Sequence, residues 1–231
     1  MIKPGDVISY QTMCQEEKFS LQKGMNYHLA PGYSVILMST QTGAPYSDRV
    51  EGNGKTLIYE GHDIPKTKGV DDPKKYDQPM KNPSGSLTQN GMFFKAAGEY
   101  KKNAKSPELV KVYEKIRPGI WAYNGLFELQ DAWMESDGRR DVFKFKLAIT
   151  DESLSEKNAE QSDIDHTRII PSEVKRIVWA RDKGKCVECG AVDNLHFDHI
   201  IPYSKGGSSR DAENIQLLCA RHNLAKRDRI G

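Results

Sequence analysis

Cys186-Val-Glu-Cys189, Leu195-His-Phe-Asp-His-Ile-Ile201 and Glu213-Asn-Ile-Gln-Leu-Leu-Cys219-Ala-Arg-His222-Asn223 are the stretches of this 231-residue sequence that decide its fold. Cys186-x-x-Cys189 and Cys219-x-x-His222 are two ligand pairs separated by 29 residues. A two-residue gap lets a tight turn point both side chains at one ion, and zinc takes four sulfur or nitrogen ligands in a tetrahedron. The bland alternative is buried free thiols. A redox pair is disfavoured, because no thioredoxin-like βαβ pattern surrounds the cysteines. With all four ligands from the protein, the site is closed and structural. Between the pairs lie a strand, a glycine loop at Lys205-Gly-Gly207 and a returning strand at Ile215-Gln-Leu-Leu218, with a helix from about Ala220. The sequence therefore predicts a β-β-α unit clamped at both ends by metal, which compensates for a small core.

The same segment holds a second set of residues. Asp198 and His199 are adjacent on the predicted strand and point to opposite sides of the pleat. One can bind a hard cation while the other faces a substrate. Asn214 precedes the returning strand, where it could accept a hydrogen bond from the imidazole and fix its tautomer. Asn223 opens the last helix, and its amide oxygen could complete a magnesium site with Asp198. An oxygen ligand set favours Mg²⁺ or Mn²⁺. His196 reads as a structural or phosphate-contacting side chain rather than a fifth ligand. Lys226 and Arg227, one turn along the helix, are either phosphate contacts or a solvated helix end.

Moving toward the N-terminus, Pro171-Ser172-Glu173 followed by Val174, Ile177, Val178 and Arg181 predicts a helix that Gly184 can end. Asp151 to Asp163 is acidic, has little apolar content, and reads as a linker; the expected boundaries are 1–150, an acidic linker at 151–170, and 171–231. Residues 1–150 carry 21 basic and 18 acidic side chains, 151–169 carry 2 and 6, and 170–231 carry 11 and 8. Two mildly basic blocks permit a nucleic-acid partner, although solvated surface is the commoner meaning of such a balance.

The first block reads mostly as strand. Tyr33–Met38 and Thr56–Glu60 are short β-rich runs. In Asp141–Leu147, Phe143, Phe145 and Leu147 alternate with Lys144 and Lys146. A helix is predicted with Ser106 as N-cap, Pro107 at its first position, and Leu109, Val110, Tyr113 and Ile116 on one face. Residues 41–55 and 61–91 read as long loops. The expected fold class is α+β: an N-terminal curved, barrel-like β domain with a few helices, and a C-terminal ββα-metal domain containing zinc. Within the loop-to-strand junction, Tyr46, Asp48 and Tyr59 place two aromatic rings beside a carboxylate. Tyrosines next to strands usually serve packing.

No apolar run is long enough to span a membrane, the N-terminus lacks the apolar core of a signal peptide, and three clustered cysteines suit a metal better than disulfides. A cytoplasmic location is expected.

Two resemblances add to this reading. Leu195 to Pro202, Lys205-Gly-Gly207, Glu213 to Cys219 and His222-Asn223-Leu-Ala-Lys226 resemble HNH endonucleases over about residues 172–231. The resemblance implies that His199 is the general base, that Asp198 and Asn223 hold the catalytic divalent metal, and that Asn214 orients His199. The third motif letter is Asn223 in place of histidine. The fourth zinc ligand is His222 where cysteine is usual, which leaves open its serving the catalytic metal instead. Residues 5–150 are similar to SRA (YDG) domains through Tyr46-x-Asp48, Tyr59-Glu-Gly61, Asp77-Gln-Pro-Met80, Thr88-Gln-Asn90, Tyr123-Asn-Gly125 and Asp131-Ala-Trp133. Asn124 stands at the centre of the YDG signature. This likeness implies that Tyr46 and Tyr59 sandwich a flipped 5-methylcytosine while Asp48 bonds its polar edge. An SRA-like reader joined to an HNH cutter resembles modification-dependent restriction endonucleases. The resemblance implies a double-stranded DNA partner carrying 5-methyl- or 5-hydroxymethylcytosine, and a homodimer to cut both strands. The alternatives are an HNH endonuclease acting on unmodified or otherwise modified DNA, and a non-catalytic methyl-DNA-binding protein.

Overall fold

The computed structural model describes residues 2–51, 55–66, 70–150, 170–202, 205–226 and 229–230. The acidic bridge and Arg227 lie outside the described residues. Ten strands form one mixed sheet. They are β1 (Asp6–Ser9), β2 (Met25–Ala30), β3 (Tyr33–Met38), β4 (Arg49–Glu51), β5 (Thr56–Glu60), β6 (Glu108–Arg117), β7 (Ile120–Ser136), β8 (Asp141–Ile149), β9 (Leu195–His199) and β10 (Ile215–Cys219). Among the described residues, four α-helices accompany them: α1 (Tyr10–Glu17), α2 (Gln89–Lys101), α3 (Ser172–Arg181) and α4 (Ala220–Lys226). No helix among the described residues is long and apolar enough to cross a membrane.

The long strand β7 organises the sheet. One of its edges pairs antiparallel with β6, which continues through a parallel junction to β3 and then to β2. The other edge changes partner along its length. Ile120, Trp121 and Ala122 pair with β1, whereas Phe127 to Ser136 pair with β8, which leads on to β5 and β4. The sheet therefore forks and does not close. Strands β2, β4 and β10 remain at its margins among the described residues. The barrel-like closure expected from the alternating strands is thus corrected to an open, branched sheet. Alternation reports twist and one buried face, whereas closure requires the terminal strands to pair, and here β7 spends that edge on two different neighbours.

The alternation in β8 buries Phe143, Phe145 and Leu147, each worth roughly 1.5–3 kcal/mol. Lys144 on the other face is buried as well, 2.8 Å from Glu60. The helix expected after Ser106 is instead β6. Val110, Val112, Glu114 and Ile116 are all buried on alternate positions, and ladders on both edges satisfy their backbone, overriding the local Ser-Pro start signal. Conversely, the stretch read as loop at 61–91 runs into the first turn of α2, a helix the sequence reading did not place. Thr88 caps it by accepting from the Gly91 amide at 3.1 Å, and Phe93 packs into the principal core with Phe127, Phe143 and Phe145.

The C-terminal β-β-α unit forms as expected and joins the same sheet through β1, with Asp6 opposite His196 and Val7 opposite Leu195. A second core runs across the junction, gathering Val7, Ile116 and Ala122 with Val174, Val178, Leu195, Phe197, Ile215 and Leu217. Of the predicted α3 stripe, Ile177 points out, 48% exposed. Helix α3 is stapled to the hairpin by the Asp182 carboxylate, which accepts from the Leu217 amide at 2.9 Å. Arg181 donates to the Ala212 and Ile215 carbonyls.

Candidate functional sites

The two Cys/His pairs converge. Cys186, Cys189, Cys219 and His222 offer ligand atoms that all lie within 4.8 Å of one another. Cys189 and Cys219 sulfurs are 3.8 Å apart, and His222 Nδ1 is 3.3 Å from Cys186 Sγ and 3.5 Å from Cys219 Sγ. Around a tetrahedral zinc, with Zn–S about 2.3 Å and Zn–N about 2.0 Å, ligands stand roughly 3.8 Å apart for S–S and roughly 3.5 Å for S–N. The cluster therefore has the dimensions of a structural metal site, and it includes His222. Local backbone builds it: Gly190 takes φ +74° and donates to the Cys186 carbonyl, and Cys186 donates to that of Ala191. Burial alone would raise the Cys186 thiol. Hydrogen bonds from the Cys219 amide, His222 and the Cys189 and Glu188 amides outweigh it and bring the thiol down to about 6, which favours a thiolate ligand.

On β9, Asp198 and His199 stand opposite Gln216 and Ile215 of β10. The Asp198 carboxylate is 2.8 Å from Lys226 Nζ and receives Gln216 Nε2 at 3.5 Å. Lys226 also donates to the His199 carbonyl. It thus ties the end of β9 to α4, on which the half-buried Asn223 lies. The imidazole of His199 meets the Ser209 hydroxyl, with Nε2 to Oγ at 2.8 Å. Asn214 is engaged elsewhere. Its Nδ2 donates to the carbonyls of Ile201 (3.0 Å) and Ser208 (3.2 Å), and its Oδ1 accepts from the Ile201 amide at 2.8 Å. The predicted orienting amide therefore pins the β9–β10 loop, and the hydroxyl on the imidazole belongs to Ser209, which sequence reasoning missed. Ser209 lies two residues past the glycine pair, and no spacing rule singles it out. His196 faces β1, with Nδ1 2.7 Å from the Asp6 carboxylate.

In the first block, Tyr46, Asp48 and Tyr59 are neighbours, but they do not form an open pair of rings. Tyr59 is 1% exposed and sits in the principal core. Its hydroxyl meets His62 Nε2 at 3.0 Å, and burial drives the phenol well above its usual value. The ring stacked on Tyr46 is His62, with centroids 5.2 Å apart and planes at 16°. Lys74 Nζ stands 4.3 Å from the centre of the Tyr46 ring. His62 was missed because a lone histidine in a loop gives no periodic signal. Its backbone is clamped by the Asn90 side chain, which accepts from the His62 amide and donates to its carbonyl, both at 2.8 Å. Burial lowers the imidazole to about 4, so it is neutral at physiological pH. Asp48 accepts from the amides of Ser39 and Glu60, both at 3.0 Å. Desolvation outweighs these bonds and pushes its carboxyl up to about 7.

The HNH endonuclease family matches residues 186–229, from the first Cys pair through α4. The chain carries an HNH endonuclease module with a Cys₃His metal-type cluster. Among solved structures, the chain is similar to the SUVH5 SRA domain in complex with hemimethylated CG DNA, at 23% identity over 64% of this chain and 89% of that one, with a TM-score of 0.45. It is also similar to KRYPTONITE in complex with mCHH DNA, at 18% identity over 71% of this chain and 34% of that one, with a TM-score of 0.44. Arabidopsis thaliana SUVH6 in complex with SAM is similar at 18% identity over 70% and 28%, with a TM-score of 0.40. No curated protein matches the chain.

Proposed function

We propose that this chain is a modification-dependent DNA endonuclease. In this reading, residues 1–150 bind a flipped 5-methyl- or 5-hydroxymethylcytosine, 151–170 link, and 171–231 hydrolyse a phosphodiester bond nearby. The observation that carries the nuclease half is the placement of Asp198 and His199 side by side on a strand held by neighbours on both edges. The Cys₃His cluster holds one end of the unit, and β1 with α3 holds its flank. Zinc is the ion proposed for that cluster. Asp198 and Asn223 would supply the oxygen donors suited to Mg²⁺ or Mn²⁺. When bound, such an ion acts as a Lewis acid against the charge that develops on the phosphate. His199 takes the proton of the attacking water. Lys226, already beside the Asp198 carboxylate, adds a positive charge on the same flank. One such centre cuts one strand, so a double-strand break calls for two copies of the chain.

The base-reading half is supported by the sequence resemblance, by Tyr46 as a partly open ring, and by Asp48 as a carboxyl recessed beside it. A second reading, cleavage of unmodified DNA, is favoured by the covering of Tyr46 by His62 and by the burial of Tyr59. The test is digestion of one plasmid, methylated and unmethylated at cytosine C5, with the zinc-loaded full chain and Mg²⁺. Cleavage confined to the methylated copy is expected. Equal cutting of both copies removes the reader and leaves the nuclease.

A further inference from the structure

The last residue of α4 brings an ammonium to the end of β9. Cys219 and His222 tie the start of this helix to the metal cluster. Asn223 and Lys226 stand three positions apart, so they share one face of it. Both are partly buried, whereas Leu224 and Ala225 between them are exposed. Lys226 reaches β9 with its side chain only 9% exposed, and its Nζ lies 2.8 Å from Asp198 Oδ2. The same ammonium donates to the His199 carbonyl, and Gln216 Nε2 approaches the same Oδ2 at 3.5 Å. A positive charge thus sits between two oxygens of consecutive residues. The recessed carboxylate of Asp198 already holds a cation, with Asn223 on the helix face that delivers it. A hard divalent ion asks for such oxygen donors, and the ammonium stands where one would bind.

From this geometry we infer that Lys226 is a built-in competitor of the divalent ion: its ammonium holds the Asp198 carboxylate, and the ion takes that carboxylate only by displacing it. The inference rests on the reading of Asp198 as a metal ligand, and the test separates the two. Mg²⁺ approaches a carboxylate oxygen to about 2.0–2.1 Å. An ion that near Oδ2 would meet the ammonium, 2.8 Å from the same atom, as a like charge in near contact. Such repulsion is strong in a recessed site, where solvent screens it poorly. Loss of the Lys226 bond therefore offsets part of the ion's attraction to the carboxylate. The His199 carbonyl retains the displaced ammonium, so its charge stays on the same flank. Ion affinity then depends on the charge at position 226 and not on the bulk of the side chain.

Mn²⁺ binding to the zinc-loaded full chain, without DNA, is read from the loss of the free-ion paramagnetic resonance signal. Zinc content and thermal midpoint check the fold of Lys226→Met, Lys226→Arg and Asp198→Asn. Lys226→Met, which removes the charge and keeps the length, is expected to tighten the Kd for Mn²⁺ on the order of tenfold. Lys226→Arg stays near the parent, and Asp198→Asn loses the site. The unaltered chain gives a second reading that needs no stable variant: Mg²⁺ should move the ¹⁵Nζ resonance of Lys226, as the ammonium leaves the carboxylate. A Kd unchanged or weakened in a folded Lys226→Met, or an Nζ resonance indifferent to saturating Mg²⁺, overturns the competition and leaves Asp198 as a ligand. Undiminished Mn²⁺ binding in Asp198→Asn overturns the metal reading and the inference with it.

Discussion

Asp48 holds its carboxyl where the amides of Ser39 and Glu60 converge, a setting that would ordinarily favour the charged form. Desolvation wins, and the group titrates at about 7 in the fold, against about 3.9 in an unfolded chain. The raised value means that folding favours the protonated form. The stabilisation is fully present below about pH 4 and is lost as pH rises toward 7. Replacing Asp48 with Asn removes that slope. Urea denaturation at pH 5 and pH 8 should therefore show the variant gaining on the parent at the higher pH; a constant difference would mean that the carboxyl ionises normally. The wider region shows what a sequence can tell about single residues. Tyr46, Asp48 and Tyr59 were legible as neighbours because they flank one loop and one strand. Which ring faces which was not, since it depends on Asn90, 28 positions beyond His62, holding the backbone that aims the imidazole.

The β9–β10–α4 unit was the most legible element, since ligand pairs and strand patterns there are local in sequence. Metal removal is expected to act on this element first, because zinc-dependent folding energy is lost with the ion. Stripping with a strong chelator, or the Cys219→Ser substitution, should abolish hydrogen-exchange protection of β9 and β10 amides while β7 and β8 keep theirs. Elemental analysis should find one zinc per chain beforehand. Retained protection without metal would make the cluster dispensable for the fold. Strand β6 was less legible. Leu109, Val110, Tyr113 and Ile116 satisfy a helical stripe, whereas Val110, Val112, Glu114 and Ile116 satisfy an alternation. The ladders to β7 and to β3, the latter about 75 residues earlier in sequence, decide between them.

At the scale of the whole molecule, a buried ion pair ties helix α3 to the N-terminal strands. Lys175 of α3 lies 2.6 Å from Glu114 of β6 and 2.7 Å from the Asn124 Oδ1 of β7, and Asn124 Nδ2 donates to Glu114 at 3.1 Å. Glu114 and Lys175 are 0% and 3% exposed. Removing one member of such a pair leaves an uncompensated buried charge, at a cost of about 3–5 kcal/mol, whereas replacing both with apolar groups is often near neutral. Lys175→Met should therefore destabilise the chain strongly in urea melts, and the double variant Glu114→Leu with Lys175→Met should recover most of the loss. Equal loss in both would show that geometry, and not charge, makes the contact. Asn124 bonds both members of this pair, and its partner Lys175 lies in a segment that no motif in the first block could reveal.

Strand β1 is only four residues long, yet it lies between β7 and β9. During synthesis its pairing with β7 becomes available more than sixty residues before Leu195 and His196 have been made. A nascent or prematurely terminated chain therefore displays one raw strand edge, ready to pair with another copy. Leu195 and His196 cover that edge, so protection against such pairing waits on a segment made long after β1 and β7.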